Sequence, residues 1–222
     1  MRTEDEVQRF FEDMQMDHEE DKAAYYTACY EGCLPRMFWD VDSSHVRHNT
    51  ENFNAIILPY CKRWKKARNR GYGLLLSGDN GTGKTMFMSF VLTQMIKRGA
   101  TVYYTNLAQL DVDLKRGFKD GAFERRLLDM LESDFVAIDE IGKEQAKEDS
   151  YLRSRFELLM KTRYDNGDPM LCATNLDMEK ITEMYGSTIE SMFEGRYELV
   201  MLRSGDFRRS ATKRMRKDMG FK

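Results

Sequence analysis

Apolar residues follow two periodicities along this chain. Between residues 4 and 31 they recur at helical spacing, with Val7, Phe10, Phe11 and Met14 on one face, which predicts one or two short helices. Leu34-Pro35-Arg36 breaks that stretch. A second helical pattern covers 50–69, with Phe53, Ile56, Ile57, Tyr60 and Trp64 on one side. From Gly73 onward short apolar runs alternate with helical segments. The runs predict strands at Gly73–Ser77, Thr101–Thr105, Phe135–Asp139, Met170–Thr174 and Glu198–Leu202. Helices are expected over Thr85–Lys97, closed by Gly99, over 108–131 as two pieces joined near 117–121, and over Ser150–Asn166, stopped by Gly167 and Pro169. Fully apolar strands alternating with helices predict an α/β fold, a five-stranded parallel sheet covered on both faces, with a short helical N-terminal extension.

One stretch adds chemistry to this pattern. Residues 78–85 read Gly-Asp-Asn-Gly-Thr-Gly-Lys-Thr and fit the phosphate-binding spacing G-x-x-x-x-G-K-[ST] between a strand and a helix. In such a loop Gly78, Asp79, Asn80, Gly81, Thr82 and Gly83 turn backbone N–H groups toward the β- and γ-phosphates, and the helix opening at Thr85-Met86 adds its N-terminal dipole. Lys84 is the expected counter-charge to those phosphates, and the Thr85 hydroxyl an expected Mg²⁺ ligand. The cofactors are therefore ATP or ADP and Mg²⁺.

A second element lies further along. Phe135-Val136-Ala137-Ile138-Asp139-Glu140 is an apolar strand ending in two acids, a Walker B pattern. At the carboxyl edge of a parallel strand, Asp139 faces the phosphate loop and can hold Mg²⁺ through its waters. Glu140 can polarise the water that attacks the γ-phosphate. Asn175 follows the next strand, Met170–Thr174, where a polar side chain reaches the attacking water or the γ-phosphate.

Composition changes this picture little, and charge distribution changes it more. The 222 residues are 32% charged and 41% apolar, with no apolar run near the roughly 20 residues of a membrane span, so no membrane partner is expected. The N-terminus lacks a signal peptide's apolar stretch. Four scattered cysteines beside a nucleotide site point to a reducing cytoplasm. Net charge is −2, yet residues 1–21 hold nine acids against Arg2, Arg9. Residues 203–222 hold eight cations against Asp206 and Asp218, and residues 62–70 hold six cations. Such basic clusters are either solvated faces or nucleic-acid contacts. Cys29, Cys33, His45 and His48 fall just outside the usual zinc spacing, which favours cysteines that simply pack.

Taken together, the motifs resemble the AAA+ ATPases, and among them the helicase loaders of the DnaC/DnaI type and their IstB-type transposition relatives. The resemblance covers roughly residues 34–209. It rests on Leu34-Pro35-Arg36-Met37-Phe38, on Gly71-Tyr72-Gly73-Leu74-Leu75-Leu76-Ser77-Gly78, on Thr162-Arg163-Tyr164-Asp165-Asn166-Gly167-Asp168-Pro169 and on Gly205-Asp206-Phe207-Arg208. It implies an AAA+ domain over 34–209, preceded by an acidic partner-docking arm, 1–33, and followed by a basic tail, 210–222. It implies that Asn175 acts as sensor 1 and Arg208 as sensor 2, an arginine approaching the nucleotide from the C-terminal side. The partners it implies are a DnaB-type replicative helicase, single-stranded DNA, and further copies of the chain in the presence of ATP or a partner. In relatives, Lys115, Arg116 and Lys119 would fall in the segment that lines the ring's pore.

The sequence departs from the family at the trans-acting arginine finger. The matching segment is Ser191-Met192-Phe193, so Met192 stands at the finger position and Arg196, one turn on, is the substitute candidate. Three functions stay open at this point. They are an ATPase that loads a replicative helicase for DNA replication, an IstB-like transposition ATPase that recruits a transposase, and a small-molecule kinase. The adjacent acids and the Asn175 sensor argue against the kinase, which need not activate water. The shortness of the chain suggests a phage or mobile-element loader.

Overall fold

The computed structural model describes residues 19–46, 50–112, 122–143, 150–203, 212, 215–217 and 219–221. Five strands form one parallel sheet in the order β2-β3-β4-β1-β5. They are β1 (Gly73–Ser77), β2 (Val102–Asn106), β3 (Phe135–Ile141), β4 (Met170–Thr174) and β5 (Tyr197–Met201). The expected α/β fold and strand count therefore hold. Boundaries differ by one or two residues because pairing, not composition, sets them. Tyr197 pairs with Gly73, so β5 opens one residue early, and Asn106 pairs with Asp139, so β2 closes one residue late.

Side-chain alternation divides the sheet's two faces. Leu74, Leu76, Tyr104, Phe135, Ala137, Leu171 and Ala173 face one core, completed by α6 (Lys84–Ile96), in which eleven residues are buried. Leu75, Val136, Ile138, Met170 and Cys172 face the other. There the covering helices include α8 (Ser150–Asn166), α9 (Met178–Tyr185) and α10 (Ser187–Arg196). Their apolar residues Phe156, Ile181, Tyr185 and Phe193 sit at 5% exposure or less.

Ahead of the sheet lie α1 (Glu19–Glu31), α2 (Ser43–Val46), α3 (Thr50–Asn52), α4 (Leu58–Lys62) and α5 (Trp64–Arg70). Tyr25 and Cys29 of α1 belong to the α6-side core, and the Gly32 carbonyl accepts from the Tyr104 N–H at 2.8 Å. The described half of the expected N-terminal extension is thus built into the body of the domain. Residues 1–18, which carry most of its acids, lie outside the described residues. The single helix expected over 50–69 is interrupted. Phe53–Ile57 form a π turn, with the Leu58 N–H bonded back to the Phe53 carbonyl. Pro59 explains it, since a proline has no N–H to give residue 55 and its ring crowds that carbonyl. A further break at Arg63 precedes α5, whose end is closed by Gly71 at φ 65°. There the Tyr72 N–H reaches back to the Ala67 carbonyl at 3.0 Å.

Arg163 of α8 is fully buried. One guanidinium nitrogen, Nη1, donates to the Met130 carbonyl at 2.6 Å, at the C-terminal end of α7 (Ala122–Glu132). The other, Nη2, donates to the carbonyls of Ser133 and Pro169 at 3.0 and 3.1 Å. One side chain thereby ties together a helix end and the entries to β3 and β4.

Candidate nucleotide site

The site forms where β1, β3 and β4 end on the same edge. Three glycines make the loop possible. Gly81 and Gly83 have φ of 83° and 92°, and a Cβ on Gly78 would stand 2.3 Å from the Leu202 carbonyl. Thr82 Oγ1 donates to the Asp79 carbonyl at 2.8 Å and tightens the turn. Lys84, buried at the head of α6, donates to the carbonyls of Gly78 and Asp79 at 2.6 and 2.8 Å. Its ammonium is thus held across the loop mouth. Asn80 at the loop crest accepts from Asn175 Nδ2 at 2.9 Å. Thr85 and Met86 occupy the first turn of α6, with Met86 packed on the core below.

The two acids behave differently. Asp139 is 3% exposed and accepts from Thr85 Oγ1 at 2.5 Å through Oδ2. The same oxygen accepts from the Tyr104 hydroxyl at 3.0 Å, and Oδ1 accepts from the Glu140 N–H at 2.8 Å. Burial, and then the neighbouring Asp139 carboxylate, push the Tyr104 phenol far above its usual range, so it remains a donor. Glu140 has φ 61°, a left-handed conformation uncommon for a side-chain-bearing residue. The register explains it: Ile138 pairs with Cys172 and Ile141 with Thr174, so Asp139 and Glu140 together face Ala173. This bulge breaks the strand's alternation after Asp139 and re-aims Glu140. Glu140 pairs with Lys143 at 2.5 Å.

Hard oxygen donors on a buried carboxylate and a hydroxyl, next to a loop shaped for phosphates, suit Mg²⁺. Among the described residues no group of three or more His, Cys, Asp or Glu could hold a metal ion. A metal–nucleotide site has no need of one, since phosphates and water complete the shell. The zinc spacing is not assembled either. Cys29 is buried, Cys33 is exposed, His45 pairs with Asp42, and His48 lies outside the described residues.

Not every expected residue converges here. Arg208 and its Gly205-Asp206-Phe207 neighbours lie outside the described residues. Met192 is buried against the α8-side core. Arg196 stands at the opposite edge of the sheet, beside the first residue of β5, and so is not part of this chain's own phosphate site. Its guanidinium lies 4.1 Å from the Tyr164 ring centroid and donates to the Tyr164 carbonyl at 2.6 Å. The 62–70 cluster lies on α4 and α5 at that same far edge, with Arg68 paired to Asp134. Tyr104 is the residue that sequence reasoning missed. Its reach to Asp139 depends on the β2–β3 register, and no local motif signals it.

The family model of the IstB-like ATP-binding proteins matches residues 65–191, a stretch that holds the loop, both acids and Asn175. The chain belongs to the IstB-like ATP-binding family. This family membership bears out the resemblance, and with it the enzyme class expected, an ATPase. Within the curated proteins, this IstB-like chain is similar to the replicative helicase loader DnaC of Escherichia coli K12, 28% identical over 117 residues. The match takes in 52% of this chain and 47% of the relative, so the chain spans about half the length of the curated relatives it matches. Among solved structures, a DnaC helicase loader superposes with TM-score 0.63 at 19% identity, over 76% of this chain and 100% of that one. DnaI gives 0.65 at 18%, over 76% and 94%. AMPPCP-bound DnaA from Aquifex aeolicus gives 0.59 at 18%, over 85% and 57%. These likenesses establish the AAA+ fold. Among the described residues no helix is long and apolar enough to cross a membrane.

Proposed function

We propose that this chain is an ATP-hydrolysing helicase loader that delivers a DnaB-type replicative helicase onto single-stranded DNA in the cytoplasm. The observation that carries the reading is the Thr85–Asp139 contact at the mouth of the phosphate loop, in a chain that is similar over 117 residues to a replicative helicase loader. ATP enters with its phosphates on the 78–86 segment, and Lys84 exchanges loop carbonyls for phosphate oxygens, gaining charge-assisted bonds. Thr85 and Asp139 would hold Mg²⁺, which neutralises charge on the β- and γ-phosphates. Glu140, re-aimed by the bulge, takes the proton of the attacking water. Asn175, already bonded to Asn80, orients that water or the γ-phosphate. Arg208 serves as sensor 2, and Arg196 serves a neighbouring copy's site once released from Tyr164. Residues 1–18 dock the helicase, the 108–131 segment with Lys115, Arg116 and Lys119 meets DNA, and a phage or mobile element is the source.

A second reading has its own support, because the matching family model is that of IstB-like proteins. On that reading the chain binds DNA and recruits a transposase. Pull-downs with a replicative helicase and, separately, with a transposase decide between them. Retention of the helicase in ATP, and not of the transposase, is the expected result. The reverse would overturn the loader reading.

A further inference from the structure

Asp139 must be turned toward the mouth of the phosphate loop to serve a metal there, and a carboxylate's last torsion is soft. Three donors surround it: Thr85 Oγ1, the Glu140 N–H and the Tyr104 hydroxyl. The first turns toward metal when Mg²⁺ binds, and the second belongs to a strained bulge residue. Tyr104 is different in kind. It sits on β2 opposite Ala137, so its side chain lies on the same sheet face as Asp139, two residues further along β3. It is 8% exposed within the α6-side core, and its ring is fixed by packing rather than by the loop. We infer that the Tyr104 hydroxyl is a positioning residue for metal-loaded nucleotide. It holds Asp139 turned toward Thr85, so that the site prefers the metal complex of ATP over ATP alone. This rests on the nucleotide-site reading above and adds to it a residue on a different strand from either motif.

Outer partners of metal-binding groups are typically worth about 10–100-fold in metal affinity or activity. Removing the hydroxyl should act at the low end of that range, because the Glu140 N–H still bonds Asp139. The test is Tyr104→Phe in the full chain, with Tyr104→Ile as a second variant that also lacks the hydroxyl, each accepted only if it melts cooperatively. ATP affinity is measured by calorimetry with Mg²⁺ and again in chelator, and Mn²⁺ binding to the ATP-loaded protein is titrated by electron paramagnetic resonance. Both variants should bind metal-free ATP as the wild type does. They should also need about 10-fold more Mn²⁺ for half-saturation. Wild-type Mn²⁺ titration in either folded variant would overturn the proposal. An Asp139→Asn control separates the two levels. If Asp139→Asn loses the metal-dependent gain while Tyr104→Phe keeps it, the positioning role falls and the nucleotide site stands. If Asp139→Asn also keeps it, the site reading falls and the proposal with it.

Discussion

Replacing Arg163 by Met would test the packing that presents β3 to the nucleotide. The arginine is fully buried, and its close acceptors are the carbonyls of Met130, Ser133 and Pro169, with no carboxylate of the described residues bonded to it. Burial works against its charge, while Asp168, Tyr197 and Asp134 work for it. Methionine fills much of the volume but removes the donor from three carbonyl bonds, two of them buried, at about 1–3 kcal/mol for each group left unsatisfied. Relief of the guanidinium's own desolvation offsets part of that, which leaves a net loss of about 3–5 kcal/mol. Against a total stability of roughly 5–15 kcal/mol this is large, and for a chain of this size it lowers Tm by roughly 6–20 °C. Arg163→Lys keeps the charge but not the two-nitrogen fork, and should recover less than half of the loss. Urea unfolding followed by circular dichroism gives the free energies. An Arg163→Met protein that unfolds within about 0.5 kcal/mol of the wild type, the range of ordinary surface substitutions, would refute the reasoning.

Three further outcomes are expected. Glu140→Gln should keep ATP affinity and lose about 10²-fold or more of phosphate release, since an amide cannot take the water's proton; release at the wild-type rate would exclude Glu140 as the base. Single-stranded DNA should bind more tightly with ATP than with ADP, and anisotropy titrations should weaken steeply with added salt as phosphate contacts are lost; no binding at low salt in either state would remove DNA from the account. Arg196, occupied by Tyr164, should leave the isolated protein mainly monomeric in ATP by light scattering, and a partner-free ring abolished by Arg196→Ala would contradict that.

Where function and local pattern coincide, the sequence is readable. Four of the five apolar runs became strands that are buried on both faces, the fifth became the partly exposed edge strand β5, and the phosphate loop's glycines are demanded by backbone geometry that only glycine meets cheaply. What escaped reading depends on register or long-range contact. The Asp139–Glu140 bulge arises from two residues facing one across β3–β4, and Tyr104 from a diagonal across β2–β3. Arg163 stands in a stretch recognisable by resemblance, yet its bonds reach back 33 and 30 residues, to Met130 and Ser133. Tyr25 and Cys29, one helical turn apart on α1, carry the described part of the N-terminal extension into the core, a contact that the acidic charge pattern of this stretch does not signal.

The most direct test is delivery itself. A replicative hexameric helicase is incubated with a closed single-stranded DNA circle, with this protein or its Lys84→Ala variant, in ATP, ADP or no nucleotide, and helicase retained on the circle is counted. The account predicts retention that requires wild-type protein and ATP, and that is lost in Lys84→Ala because the ammonium facing the phosphates is gone. Equal retention without the protein, or with Lys84→Ala in ATP, would contradict it.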